Sequence, residues 1–374
     1  MSDAPAPASW FQRFLLPGFA FKAVVIGGGY ATGRELAEFF LPSGPRGGLA
    51  GMVLATALWS AICATTFAFA FATRSFDYRG FFQRLLGPGW VLFEIAYVLL
   101  VVLILSVFGA AAGAIGAAVL GASAFVGTLT LAAMIALFAT WGNTSVERLF
   151  KYVTVLLYGV YALFVLFSFW RFGDRIAAGF ALPAPSTGWA LGGLTYASYN
   201  VVGAVVILPV LRHLTSRRDA VVSGLIAGPL AMLPALLFFI CMVAFYPGIA
   251  GETLPSDFML RQLRMPLFHL LFQLMIFAAL LESGTGLVHA INERVASVWR
   301  WRRGVALSAA ARAGIAAALL VVCMVVADCF GLVALIAQGY RLIAYALLAI
   351  FIAPLMTLGL WRLARPTARP GPTP

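Results

Sequence analysis

Val24-Val25-Ile26-Gly27-Gly28-Gly29-Tyr30-Ala31-Thr32-Gly33-Arg34-Glu35 interrupts the first membrane-length apolar segment, between Phe14 and Phe40. Each glycine in a helix interior costs roughly 1 kcal/mol against alanine. A charged side chain at mid-membrane costs at least about 2.5–3.5 kcal/mol. Three glycines followed by an Arg-Glu pair therefore make poor material for an unbroken helix in lipid. The stretch makes physical sense if the helix breaks there and its freed backbone groups face a ligand or a water-filled cavity.

The rest of the chain supports a membrane setting. Of 374 residues, 63% are hydrophobic and only 10% charged, against roughly 25% charged in soluble domains. The mean hydropathy is +0.99. Apolar runs recur from end to end and leave no room for a sizeable soluble domain. The net charge of +12 reads as topology signals on loops rather than a nucleic-acid surface. Met1–Ser9 is polar and lacks the apolar core and cleavage site of a signal peptide. Residues 366–374 are Pro-rich and read as a disordered tail. Cys63, Cys241, Cys323 and Cys329 sit in or at the ends of apolar segments without metal-ligand spacing, as small buried hydrophobes do.

Ten spans emerge, at 13–40, 48–73, 88–119, 123–141, 147–170, 187–212, 218–246, 266–298, 305–328 and 331–362. With both termini cytoplasmic, 18 of the 25 basic residues fall on the inner side and 5 on the outer, as the positive-inside rule requires. The expected organisation is a cytoplasmic tail at 1–12, a five-helix repeat at 13–171, a second five-helix repeat at 186–362 and a cytoplasmic tail at 363–374. An odd number of spans per repeat inverts the second relative to the first. The first span of each repeat carries an interruption. Span six has Tyr196-Ala197-Ser198-Tyr199-Asn200-Val201-Val202-Gly203. Matching interruptions in two halves point to a central binding site in secondary transporters. The competing reading is that Gly and Asn serve close helix packing.

Residues Gly27, Gly28, Gly29, Tyr30 and Thr32 are the expected substrate-binding wall of span one. An unwound helix restarting near Ala31 exposes amides and a positive dipole end to a carboxylate. The carbonyls near Val25 and Ile26 suit Na⁺ or an ammonium group. Tyr196, Tyr199 and Asn200 are expected to close the site from span six, with aromatic faces for a cation and hydroxyls for a carboxylate. Glu282 lies well inside span eight, where a carboxyl must be paired, protonated or bound to a cation. Arg34 and Glu38 are four apart and can pair on one helical face. Glu35 points about 100° away from Arg34 and is expected to find Arg341 of span ten, giving an outer gate. His289, Glu293 and Arg294 read as an inner ionic network. The loop between spans seven and eight, with Ser256 as a helix N-cap, suits either a lid or a passive connector.

The segment from Gly27 to Glu35 followed by Phe39-Phe40 resembles the first span of YkvI-type bacterial membrane proteins. Glu282-Ser283-Gly284-Thr285-Gly286-Leu287-Val288-His289, then Asn292-Glu293-Arg294, resembles that family's eighth span. The family is grouped with amino-acid permeases of the amino acid–polyamine–organocation superfamily. The resemblance implies an all-α integral membrane protein with a LeuT-like five-plus-five inverted repeat and broken helices one and six. It also implies that Ser283 and Thr285 join the carbonyls of Val25 and Ile26 in a sodium site, with Glu282 as a further ion ligand or proton carrier.

The expected function is secondary transport of a small zwitterionic or cationic amine-bearing solute across the bacterial inner membrane, by alternating access coupled to Na⁺ or H⁺. The lipid bilayer, the solute and the coupling ion are the expected partners; bound Na⁺ is the only cofactor in view, and no nucleic acid or resident metal site is expected. No enzyme motif appears: neither a phosphate-binding loop nor a nucleophile elbow nor metal-protease spacing. The alternatives are a membrane-embedded solute receptor and a divalent-metal transporter on the same fold.

Overall fold

The computed structural model describes residues 8–141 and 144–364, with the side chains of 140–154 and 301 outside that description. Among the described residues every regular element is helical. The chain enters helix earlier than expected. Ser9 and Gln12 form a reciprocal capping box that starts α1, Trp10–Phe14, inside the stretch read as tail. Of the two tails, residues 1–7 and 365–374 lie outside the described residues.

The first apolar segment is broken twice. α2 (Leu16–Val25) ends where Gly27 turns extended, at φ −111° and ψ −171°. The short α3 (Gly28–Thr32) follows, so helix resumes at Gly28 rather than near Ala31. Gly33 then adopts φ 78° and ψ −1°, a left-handed conformation that closes α3 and opens α4 (Arg34–Phe39). A tight turn at Leu41–Ser43 leads into α5 (Gly44–Thr73).

The amphipathic α6 (Tyr78–Leu86), capped by Asp77, precedes the apolar α7 (Trp90–Leu120) and α8 (Ala124–Trp141). α9 runs Thr144–Ala181, well past the expected end at 170. The extension holds because Phe172 and Ile176, four apart, are both buried, and Phe172 meets the Phe245 ring edge-on at 4.8 Å. Packing of this apolar stripe sustains helix where charge content suggested loop.

Span six is distorted rather than broken. α10 (Trp189–Asn200) passes through Val201 and Val202, both right-handed, into α11 (Gly203–Val206) and a tighter turn at Leu208–His213. Bonds from Ala204 to Val201 and from Val205 to Val202, each 2.9 Å, show the helix tightening instead of unwinding. The expected unwound break at Asn200 is thus corrected. The valines keep helical torsions, and the Asn200 amide donates to the Tyr196 carbonyl at 3.1 Å, staying with its own helix.

α12 (Arg217–Val243) packs along α5 through Gly224 and Gly228, which rest against Ala64, Thr56 and Ser60. This is the small-xxx-small spacing that lets membrane helices approach closely. α13 (Pro255–Leu263) lies in the following loop, and α14 spans Pro266–Arg303. α15 (Ala309–Ala334) bends at Gly331, φ 70° and ψ 168°, where spans nine and ten were expected to part. The remainder to Ala364 alternates α and π turns, including α16 (Arg341–Leu347) and α17 (Leu360–Ala364).

Among the described residues, six helical runs are long and apolar enough to cross a membrane: Arg34–Thr73, Tyr78–Leu120, Val155–Ala181, Arg217–Val243, Pro266–Arg300 and Ala309–Ala364. Leu16–Val25 and Ala124–Ala139 are shorter apolar helices. Large apolar residues such as Trp170, Leu267 and Leu342 lie exposed on the outside, where lipid rather than water suits them. The interior is aromatic. Trp59 is buried against Phe21 and Tyr196 and donates its indole N–H to the Ala197 carbonyl at 3.2 Å.

Candidate functional site

The break at Ile26-Gly27 borders a cavity of about 40 Å³ lined by Ile26, Tyr30 and Ala31, with Tyr158, Tyr161 and Met275 among its other walls. Gly27 lies beside the Phe108 ring of α7. The Val25 carbonyl is engaged, accepting from the Gly27 amide at 2.9 Å. Thr32 is buried, and its hydroxyl accepts from the Arg34 amide at 3.4 Å. Gly28 and Gly29 form the first turn of α3.

The aromatic residues of span six come close to span one. Tyr199 donates its hydroxyl to Glu35 Oε2 at 2.6 Å, and both residues are buried. Tyr340 stacks on Tyr199 at 4.4 Å. Tyr196 is wedged among Phe40, Trp59 and Tyr199, with ring centroids 4.9, 5.4 and 5.8 Å away. The hydroxyls of Tyr30 and Tyr196 are buried and find no hydrogen-bond partner among the described residues. Native interiors rarely leave such groups unsatisfied.

The charges beyond Gly33 form a latch. Arg34 donates to Glu38 at 2.9 Å and to the carbonyls of Ala250 and Glu252 at 2.8 and 3.0 Å. It thereby ties α4 to the loop carrying α13. Arg341 lies 3.7 Å from Glu38. The expected Glu35–Arg341 pair is therefore corrected: Arg341 reaches Glu38 on the exposed side of α4, while Glu35 faces inward to Tyr199. Ser256 is no N-cap, because Pro255 opens α13 after Leu254 and leaves Ser256 buried in the first turn. Asp257 holds α13 to α14 by accepting from Gln273 at 2.8 Å and pairing with His269 at 2.7 Å.

The span-eight residues stand apart from this cavity. Its α14 wall is Phe272 and Met275, while Glu282 lies two turns on, about 10 Å along the axis. Glu282 is half-buried, and its charge is felt by Tyr158. Ser283 is half-buried, and Thr285 returns its hydroxyl to the Leu281 carbonyl at 2.7 Å. The expected inner network divides in two. Arg294 bonds Glu94 at 3.1 Å between the rings of Tyr78 and Tyr97, and Arg312 bonds Glu293 at 2.5 Å.

Sequence reading missed Phe108, Tyr158, Tyr161 and Tyr340. The signal for Tyr158 and Tyr161 was their i, i+3 spacing on one face of span five. Lys22, one turn before the break, places its ammonium 4.2 Å from the Tyr158 ring centroid. Its place within an apolar segment marked it only as a topology charge.

A first apolar helix broken at glycine, packed within an all-helical membrane body, defines a membrane protein of LeuT-like fold. The expected resemblance to YkvI-type proteins holds: the chain is 26% identical to the uncharacterized membrane protein YkvI of Bacillus subtilis (strain 168) over 281 residues, covering 75% of this chain and 80% of that protein. No protein-family profile matches the chain. Among solved structures it is similar to MhsT in complex with L-phenylalanine, with a TM-score of 0.55 at 16% identity, covering 96% of this chain and 97% of that one. It is also similar to the Eremococcus coleocola manganese transporter bound to an aromatic bis-isothiourea compound, with a TM-score of 0.54 at 16% identity, covering 91% and 77%.

Proposed function

We propose that this chain is a secondary active transporter that moves a small zwitterionic or cationic amine-bearing solute across the bacterial inner membrane by alternating access. In this reading it has ten spans in two inverted repeats of five, both termini cytoplasmic. The observation that carries it is a pair of buried hydroxyls without a partner among the described residues, Tyr30 on the short helix that follows the break and Tyr196 on α10. Buried donors without partners are groups that a polar solute satisfies when it binds. The substrate wall is Gly27, Gly28, Gly29, Tyr30 and Thr32, faced by Tyr196 and Tyr199. Arg34, Glu38 and Arg341 form the gate.

Two printed identities bear on the solute: MhsT was solved with L-phenylalanine, and the Eremococcus protein is a manganese transporter. The two interruptions, 26–32 and 196–203, contain no carboxylate, the side-chain donor a hard divalent cation prefers, which favours the amine-bearing solute. The test is a thermal-shift screen of the purified chain against amino acids, amines and osmolytes, with and without sodium. A ligand of the folded state raises the melting temperature, and flux of that ligand into proteoliposomes then completes the assignment. Specific binding without flux overturns transport in favour of a receptor.

A further inference from the structure

Glu35 is a carboxyl in a membrane helix, 3% exposed. Tyr199 donates to it at 2.6 Å, and Tyr196 and Tyr340 pack on the Tyr199 ring at 5.8 and 4.4 Å. The nearby guanidinium groups are engaged elsewhere: Arg34 gives Nη1 to the Ala250 and Glu252 carbonyls and Nη2 to Glu38, its buried Nε–H finding no partner among the described residues, and Arg341 of α16 reaches Glu38. A buried carboxyl without a cation is stable when it carries a proton. The same latch that closes this side of the bundle seals Glu35 from water.

A route leads away from it. Tyr196 packs edge-on against the Tyr199 ring at 5.8 Å, and Tyr30 sits in α3, the short helix before Gly33. Both hydroxyls are buried and without partners among the described residues. Tyr30 also lines the cavity at the helix break. Glu35, Tyr30 and the cavity thus follow one another along span one, from the latch to the break.

We infer that Glu35 is the proton carrier of the transport cycle: it takes a proton from water when the latch opens and gives it up on the side of the cavity at the helix break when the bundle rearranges. Carboxylate plus proton gives carboxyl on loading. On release the carboxyl returns to carboxylate and the proton passes to water. The inference rests on the transporter reading and assigns its coupling ion as H⁺, with Glu35 rather than Glu282 as carrier.

Two measurements on the full chain in proteoliposomes test it. Infrared difference spectroscopy reads the carbonyl stretch of a protonated buried carboxyl, which should be present at neutral pH in the wild type and lost in Glu35→Gln. A trapped pH dye reads proton movement driven by an outward-to-inward gradient of a mixture of the common amino acids. This movement should be lost in Glu35→Gln and retained in Glu282→Gln, with the Glu35→Gln melting temperature near wild type. Glu35→Asp should restore both readouts in part, which a merely structural role would not require. A wild type without the carboxyl band, or a Glu35→Gln variant that still moves protons with solute, overturns the inference while leaving transport standing. A carboxyl band with no solute-driven proton movement by the wild type overturns the carrier role. If solute flux is absent as well, the transporter reading falls with it.

Discussion

Tyr199 and Glu35 meet at 2.6 Å across 164 residues of sequence, joining α10 to α4 within the buried interior. This bond locks the two interrupted helices together on the latch side. Removing the donor leaves a buried carboxyl with one interaction fewer. Tyr199→Phe is expected to destabilise the protein by about 1–3 kcal/mol, read as a lowered melting temperature in detergent. In a double-mutant cycle with Glu35→Leu, which removes the acceptor, the two losses should fall short of adding, since both remove one interaction. Strict additivity would show that the contact does not hold the helices together.

Gly33 is required by conformation and by space. Its φ is 78°, and a Cβ there would sit 2.5 Å from Phe238 and 3.2 Å from Pro255. Gly304 has a similar φ of 70° with nothing within 4 Å. Gly304→Ala should cost about 1 kcal/mol for the left-handed backbone alone. Gly33→Ala should cost distinctly more, about 2–4 kcal/mol, because strain and overpacking combine. Parallel thermal melts check the ranking, and equal losses would refute it.

Arg34 holds the loop that carries α13. Arg34→Gln removes the ion pair to Glu38 and the paired donation to Ala250 and Glu252. Hydrogen exchange should quicken across residues 248–263 and at the start of α4, with α5 and α12 unchanged. Because Asp257 still bonds His269 and Gln273, the α13–α14 contact should persist. Unchanged exchange at 248–263 would mean that Arg34 is no latch.

At the opposite end, Arg13 makes two bonds of 2.9 Å to Asp219, which also accepts from the Thr215 hydroxyl at 2.6 Å. This fork clamps α1 to the start of α12. Asp219→Asn keeps the shape and removes the charge, and should cost about 1.5–3 kcal/mol. Arg13→Lys loses the planar fork and should lie between wild type and Asp219→Asn. Guanidinium-free melts, with urea as denaturant, provide the comparison.

Gly27 offers a cleaner probe of the substrate wall. Its torsions are open to any residue, and a Cβ would touch Phe108 at an ordinary 3.5 Å. Gly27→Ala should therefore change stability by no more than about 0.5 kcal/mol. Ligand-induced thermal shift should nevertheless fall if backbone approach at the break matters. An undiminished shift would remove Gly27 from the binding wall.

Much of this was legible in residue order. The apolar runs announced a helical membrane body, the glycine triplet announced a break, and the four-residue spacing of Arg34 and Glu38 announced their pairing. Legibility failed where a side chain's partner comes from elsewhere in the chain. Helical geometry shows that Glu35 turns away from Arg34, but not which element stands opposite. An arginine in span ten was an electrostatically sensible partner; the packing of α10 supplied a tyrosine. Asn200 resembled a helix breaker, yet the valines after it kept helical torsions and its amide turned back to Tyr196.

The sequence by itself determined the solvent of this protein, the helical class and the place where the first helix must break, because these follow from local costs: apolar length against water and glycine against helix. Only the tertiary structure decided that the break has two parts, that Glu35 is buried among tyrosines, and that Arg34 and Arg341 converge on Glu38. Those outcomes depend on which helix faces are brought together, and long-range packing sets that through burial and close fit, which no local window of residues contains.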